Sequence, residues 1–497
     1  MRNTSVRSVI LLIPFLLFYG LPFAGAAEKE ERKVEEEVIY SIMVDRFHDG
    51  ENSNNQQVDP DNPDAYHGGD LQGIIDKLDY IKERGFTTIM LSPIMENAEG
   101  GYHGFWIEDF RSVEEQFGSL EDAKRLVEAA HQQDMKVILT TPLRYTSDSH
   151  SWVEDSSKDN WYEESQENNT GEFSRNYTEG LPKLNFSNAS VQEYALETLR
   201  FWKEETGADG FRISSMDELP ISFIEKVDTE IENTIIIGDV QQENKRASLQ
   251  NAGVDLVTQY SLYEQAASLF SAPGGNISDI AEYQLNEEQG SAMLTFVDNL
   301  YTERFTNRAF QQKHNPTTRW KLALTYLYAT PGTPSLYYGS EIALDSDHTN
   351  NPIMNFKSGE SDIKAHMEQL AAIRGRFPAL RKGSFEQIID DGAFAVFKRS
   401  YQGETVYIAI NNDVTTKSAT LSNISEDKQL RGLVYDTIVR NQGDNQYKIA
   451  LDRETADIYV EEDNQGVNLL FVGAVILVMG AFIGFVIVVT VKNKQKT

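Results

Sequence analysis

The stretch Asp209-Gly210-Phe211-Arg212-Ile213-Ser214 reads as a short apolar strand that ends on a polar residue, and its surroundings decide the fold. Before it, Val191 to Glu204 carries apolar residues at spacings of three and four, the period of an amphipathic helix. After it, Ile235 to Gly238 is a second short apolar run. Strands alternating with helical stretches in this way point to parallel β/α units. Working outward, further candidate strands are Val38 to Val44, Thr87 to Leu91, Lys136 to Thr141, Val254 to Thr258, Ala292 to Asp298 and Ser335 to Tyr338. Helical stretches occur between several of them, at Gly73 to Arg84 and Leu120 to Gln132. Eight strands in this pattern fit a closed α/β architecture, a (β/α)8 barrel over 36–141 and 185–380, with Ser214 at the end of the fourth strand.

One connection breaks the pattern. From 142 to 184 the chain is polar and dotted with aromatics, too long and irregular for an ordinary loop, and reads as a small inserted domain after strand three. Beyond 380 the texture changes to alternating strands and turns, which predicts a C-terminal β-sandwich over 381–460, followed by a polar linker at 461–466.

Acidic side chains outnumber basic ones, 77 against 45, for a net charge of -32 in 497 residues. That surplus argues against nucleic acid or an anionic membrane surface as the partner. There are no cysteines, so neither disulfides nor thiolate chemistry operate. At the N-terminus, Arg2 and Arg7 precede the apolar run Val9 to Phe18, and Ala24-Gly25-Ala26 supplies small residues for cleavage, which predicts a signal peptide at 1–26. The uncharged run 467–491, followed by Lys492, Lys494 and Lys496, predicts a single transmembrane helix, a cytoplasmic tail at 492–497 and a body on the outer face of the cell. Asn176-Tyr177-Thr178 is one of several glycosylation triplets, meaningful only in a eukaryotic secretory route.

Three segments carry a family resemblance. Tyr66-His67-Gly68-Gly69-Asp70-Leu71-Gln72-Gly73, Gly101-Tyr102-His103-Gly104-Phe105-Trp106 and Gly332-Thr333-Pro334-Ser335-Leu336-Tyr337-Tyr338-Gly339-Ser340-Glu341 resemble, in order, segments of bacterial α-amylases. The fragment Gly210 to Ser214 resembles a fourth, whose last residue in that family is an aspartate nucleophile. The resemblance to the α-amylase family of glycoside hydrolases implies a barrel with an inserted domain and a C-terminal β-sandwich. The substrate would be an α-1,4-glucan, bound at the C-terminal ends of the strands.

Carried over by position, the resemblance places Ser214 at the nucleophile, Asp239 at the acid/base where the family has glutamate, and Tyr301 at the third carboxylate, after Leu300 in place of a histidine. Retaining hydrolysis needs two carboxylates around an oxocarbenium-like transition state, so the altered triad implies that hydrolysis is lost or strongly impaired. His103, Phe105 and Arg212 remain as substrate-binding candidates, Phe105 where the family stacks a tyrosine on sugar. Thr140, Arg144, Tyr145 and Glu218 replace other polar substrate contacts.

The resemblance also implies metal sites. Asp49, Glu51, Asn54, Asn55, Gly68 and Asp70 match an N-terminal calcium loop and predict one Ca2+. The family's central calcium site is expected to be lost, because Arg144 and Lys183 stand where two oxygen ligands would be. Three functions stay open here: a surface glucan-binding protein, an active amylase that recruits Asp217, Glu218 or Asp298 beside Asp239, and an interaction scaffold without a sugar site.

Overall fold

Eight parallel strands close into a barrel: β1 (Ile39–Ile42), β2 (Thr88–Leu91), β3 (Lys136–Thr141), β4 (Gly210–Ile213), β5 (Ile235–Gly238), β6 (Leu256–Thr258), β7 (Met293–Thr295) and β8 (Thr333–Tyr337). Each strand pairs with its sequence neighbours, and β8 closes the ring on β1 with Ile39 opposite Ser335. The computed structural model describes residues 32–164, 177–286, 292–346, 351–357, 361–464 and 469–494. The chain divides into two compact units, Met1–Lys33 and Val34–Thr497. The signal peptide expected at 1–26 lies outside the described residues.

The strands read as continuous apolar runs because both of their faces are covered. Ile39, Met90, Ile138, Ile237, Leu256 and Leu294 form a cluster of their own inside the barrel, with Val34. The alternating residues Ile89, Val137, Phe211, Ile213, Ile236 and Val257 join the larger core beneath the helices. In β4 this period of two sends Gly210, Arg212 and Ser214 inward. Gly210 has to lack a side chain, since a Cβ there would stand 2.2 Å from the Ile235 carbonyl oxygen and 2.9 Å from Ile138 Cδ1.

Helices on the outside start where their sequences provide caps. In α1 (Leu120–Gln132), Ser119 and Asp122 form a reciprocal capping box. In α2 (Ala189–Thr206), Asn188 caps the N-terminus and Gly207, at φ 75°, ends the helix in the left-handed region. The helix expected at Gly73 to Arg84 is instead two short ones, Leu71–Ile75 and Leu78–Glu83, because Lys77 leaves helical geometry at φ -112°, ψ 6°. Between β2 and α1, the antiparallel pair Met95–Asn97 and Ile107–Val113 carries His103 and Phe105 on its connecting loop.

After β3 the chain leaves the barrel and returns as α2. Its aromatics pack edge-on: Trp152 meets Trp161 with centroids 4.8 Å apart at 70°, and Tyr194 of α2 at 4.7 Å and 83°. Past the barrel, antiparallel strands form a six-stranded sheet and a separate pair, Lys417–Leu421 with Tyr447–Leu451. Between them Phe394, Val396, Tyr407, Leu430, Tyr447, Ile449 and Tyr459 make a core, as in a β-sandwich.

One buried side chain ties several of these parts together. Arg374, near the end of α3 (Ser361–Arg376), donates to the carbonyl oxygens of Glu35, Tyr328, Gly332 and Leu380 at 3.3, 2.9, 3.0 and 3.1 Å. Burial, helped by the charge of Arg381, pushes its guanidinium down to about 10.

The C-terminus departs from expectation. Among the described residues no helix is long and apolar enough to cross a membrane. This holds for the terminal helix α4 (Leu469–Lys494) as described. This corrects the transmembrane helix expected at 467–491. The cytoplasmic tail at 492–497, the membrane as a partner and the placement on the outer cell face go with it.

Candidate functional site

Ser214, Asp239 and Tyr301 come together at the C-terminal end of the barrel, delivered by the ends of β4, β5 and β7. Their arrangement centres on an ion pair. Arg212 donates from Nη2 to Asp239 Oδ2 at 2.6 Å, and both side chains are almost fully buried. The other carboxylate oxygen, Oδ1, accepts from Tyr260 Oη at 3.0 Å and Thr258 Oγ1 at 3.3 Å. Tyr260 is held in turn by Asn299 Nδ2 at 3.3 Å. Above this, the Arg212 guanidinium lies 5.3 Å from the centre of the Tyr301 ring, a cation–π contact. Burial and the Asp239 charge push the Tyr301 phenol far up, against Arg212 and a contact with Ser214 that pull it down. Raised above the ordinary range of a phenol, Tyr301 is neutral at neutral pH.

The other carboxylates that could serve are engaged elsewhere. Asp298 Oδ2 accepts from the Phe305 amide at 3.0 Å, and Oδ1 from Ser340 Oγ at 3.4 Å. Asp217 Oδ2 accepts the amides of Gln241 and Gln242 at 3.2 and 2.9 Å. Burial raises the pKa of Asp217. Glu218 is paired with Lys183 at 2.5 Å.

His103, Phe105 and Arg212 are all buried, Phe105 completely at 0% exposure. His103 Nδ1 accepts the Phe105 amide at 3.1 Å, and burial, together with the charge of Arg46, pushes the imidazole down to about 3. The face of Phe105 is covered. Tyr177 stacks on it with centroids 5.4 Å apart and planes 6° from parallel. Sequence reasoning noticed Tyr177 only as the middle of a glycosylation triplet, whose Asn176 lies outside the described residues. Tyr260, Thr258, Asn299 and Asn351 were also missed; lying at strand ends, the first two could have been found by position.

A barrel with this mouth is shared by known proteins. The α-amylase catalytic-domain model matches residues 41–431. The chain belongs to the α-amylase family. An Anoxybacillus α-amylase is 40% identical with a TM-score of 0.81, covering 88% of this chain and 100% of that one. The Geobacillus thermoleovorans α-amylase, solved with acarbose, is 35% identical with a TM-score of 0.80 over the same shares. A β/α-amylase of Paenibacillus polymyxa is 28% identical over 78% of this chain, which spans only 34% of that relative's length.

Arg144 and Lys183, expected to stand in place of two calcium ligands, meet two carboxylates in a cluster of four charged side chains. Arg144 pairs with Glu163 at 2.5 Å and approaches Glu218 at 3.6 Å, while Lys183 reaches Glu218 at 2.5 Å and Glu163 at 3.9 Å. Tyr145 Oη adds a donor to Glu218 at 3.4 Å. Two cations and two carboxylates balance one another between β3, the inserted segment and the loop after β4. Glu163 was not foreseen, because nothing in its polar surroundings marks it.

The N-terminal loop has a different chemistry. Asp70 does not present free oxygens: Oδ1 accepts from Gly50 and Gly73 amides at 3.1 and 2.6 Å, and Oδ2 from the Glu51 amide at 2.8 Å and Asn54 Nδ2 at 3.4 Å. It caps the helix Leu71–Ile75 and shapes the loop. Glu51 Oε1 accepts the Ser53 amide, and Asn55 Nδ2 donates to Asp49 Oδ2 at 2.8 Å. Among the described residues, no group of three His, Cys, Asp or Glu is poised for a metal. Yet the amide oxygens of Asn54 and Asn55 are buried without a hydrogen-bond partner, a costly state that a hard cation would relieve. Gly68, at φ +92°, runs against Asn55 Oδ1, which a Cβ would meet at 3.1 Å. The unpartnered oxygens fit calcium, which Asn54 and Asn55 would hold, with Asp49, Glu51, the Gly68 backbone and Asp70 around them.

Elemental analysis after dialysis should find about one equivalent of calcium. Added calcium at a hundredfold excess over Kd should stabilise the fold by about 2.7 kcal/mol. The double change Asn54→Ala, Asn55→Ala should abolish both effects, whereas Asn52→Ala, on an exposed side chain, should keep them. Two equivalents, or none, would refute the assignment.

Proposed function

We propose that this α-amylase-family protein binds α-1,4-glucans at the C-terminal face of its barrel and does not hydrolyse them. One observation carries the second half: Asp239, the one carboxylate left at a triad-equivalent position, already has both of its oxygens occupied. Asp239 spends both on Arg212, Tyr260 and Thr258, so neither is positioned to hand a proton to a leaving oxygen. Among the described residues no base is hydrogen-bonded to the Ser214 hydroxyl, and a neutral, partly buried phenol at 301 cannot stabilise a cation as a carboxylate does. Asp217, Glu218 and Asp298, the alternatives for an unconventional pair, serve backbone amides and ion pairs. That favours binding over hydrolysis.

The first half draws support from family membership, from a relative solved with acarbose, and from the retained set His103, Phe105 and Arg212. Calcium in this reading shapes the N-terminal loop and takes no part in chemistry. Without a full set of polar contacts, one aromatic face contributes about 1 to 2 kcal/mol, and the expected affinity is nearer millimolar than micromolar. Saturation-transfer NMR with maltoheptaose should show transfer to the sugar ring protons. Absence of transfer at about 10 mM, equivalent to ~2.7 kcal/mol, would end the glucan reading and leave an interaction scaffold.

A further inference from the structure

The phenol of Tyr177 occupies the place where the glucan reading puts a sugar. Its ring lies parallel to Phe105, 4.5 Å from the His103 ring and 6.2 Å from Tyr301. Its hydroxyl donates to the Leu300 carbonyl at 3.4 Å and accepts from Asn351 Nδ2 at 2.9 Å. Asn351 is itself oriented by Tyr337 Oη, which donates to its Oδ1 at 3.3 Å from the end of β8. The Tyr177 backbone is pinned too, since its carbonyl accepts from Trp106 Nε1 at 3.0 Å. A six-membered ring is thus stacked on an aromatic face, with a hydroxyl at its far end satisfied by a donor and an acceptor. Those are the features by which a protein grips a pyranose.

We infer that Tyr177 is a built-in occupant of the reactive subsite, and that an α-glucan reaches Phe105 only when the phenol swings out. The inference deepens the glucan reading and rests on it. Its arithmetic is that of a conformational tax: the apparent Kd equals the intrinsic Kd divided by the fraction of open molecules. An aromatic stack and two hydrogen bonds hold the closed form. An open fraction of about 1 to 10% would weaken binding by about 10- to 100-fold.

Because the chain has no cysteine, one introduced thiol reports access to the site independently of sugar. Ser214→Cys should react slowly with a neutral maleimide while Tyr177 is present, and at least tenfold faster when combined with Tyr177→Ala. In the otherwise unaltered protein, Tyr177→Ala should tighten maltoheptaose binding by about tenfold or more, read by calorimetry. Labelling unchanged by Tyr177→Ala overturns the plug, even if maltoheptaose binds both proteins. Faster labelling with no maltoheptaose binding to either protein removes sugar as the competitor, and the glucan reading falls with it. Faster labelling with equal affinities overturns the competition alone and leaves the glucan reading standing. Should Tyr177→Ala fail to fold, Tyr177→Phe keeps the stack and loses both hydrogen bonds. It should raise labelling and affinity severalfold, and no change in either overturns the inference.

Discussion

Reducing-sugar release from soluble starch or maltoheptaose is expected to fall at least ~10⁴-fold below that of the Geobacillus thermoleovorans amylase measured alongside, a barrier difference of about 5.4 kcal/mol or more. The loss is so large because nucleophile, acid and stabilising carboxylate act as a unit, and removing any one forfeits most of what they do together. For the same reason Ser214→Asp alone should recover less than about tenfold. The new carboxylate would stand in a buried pocket beside the Tyr301 phenol, with Asp239 still held by Arg212. Turnover within a hundredfold of the comparison enzyme would sink the non-hydrolytic reading and require a carboxylate to leave its partners during reaction.

Replacing Arg374 with methionine should cost about 3 to 5 kcal/mol. Methionine fills a similar length but offers no donor, so the carbonyls of Glu35, Tyr328, Gly332 and Leu380 lose a shared partner in a dry site. Each orphaned carbonyl costs about 1 to 3 kcal/mol where water cannot reach it, and local relaxation recovers part of the sum. Urea unfolding is the measurement, with the midpoint shifted at constant slope. Arg374→Lys, with three donors on one atom, should fall between. A change below about 1 kcal/mol for methionine would mean that these carbonyls find water or each other.

The barrel was legible because its strands are buried on both faces, which leaves short apolar runs such as Ile235 to Gly238 standing out between amphipathic helices. The polar end of β4 was legible too, since a strand that closes on Arg212 and Ser214 has to deliver them to the barrel mouth. Residues whose role depends on a partner from a distant loop were not. Tyr177 owes its position to Phe105, Leu300 and Asn351, contacts that no local pattern encodes. Asp70 illustrates a competing reading: an acidic residue just before a helix is an N-cap signature, and its oxygens turn out to serve amides first. The run 467–491 suggests a span by its length and apolarity, yet among the described residues no helix is long and apolar enough to cross a membrane.

The ion-pair cluster of Arg144, Lys183, Glu163 and Glu218 changes what the surroundings can do to the molecule. A junction bridged by a metal obeys mass action: its stability rises as RT ln(1 + [L]/Kd) and drains away when the ion is scarce. Here the bridging charges are part of the polypeptide, so their local concentration is set by the chain and is the same in every medium. No chelator can remove them, and no supplement can strengthen them. Ionic strength takes over as the external variable, and because these charges are only partly exposed, its grip is weaker than on a surface pair.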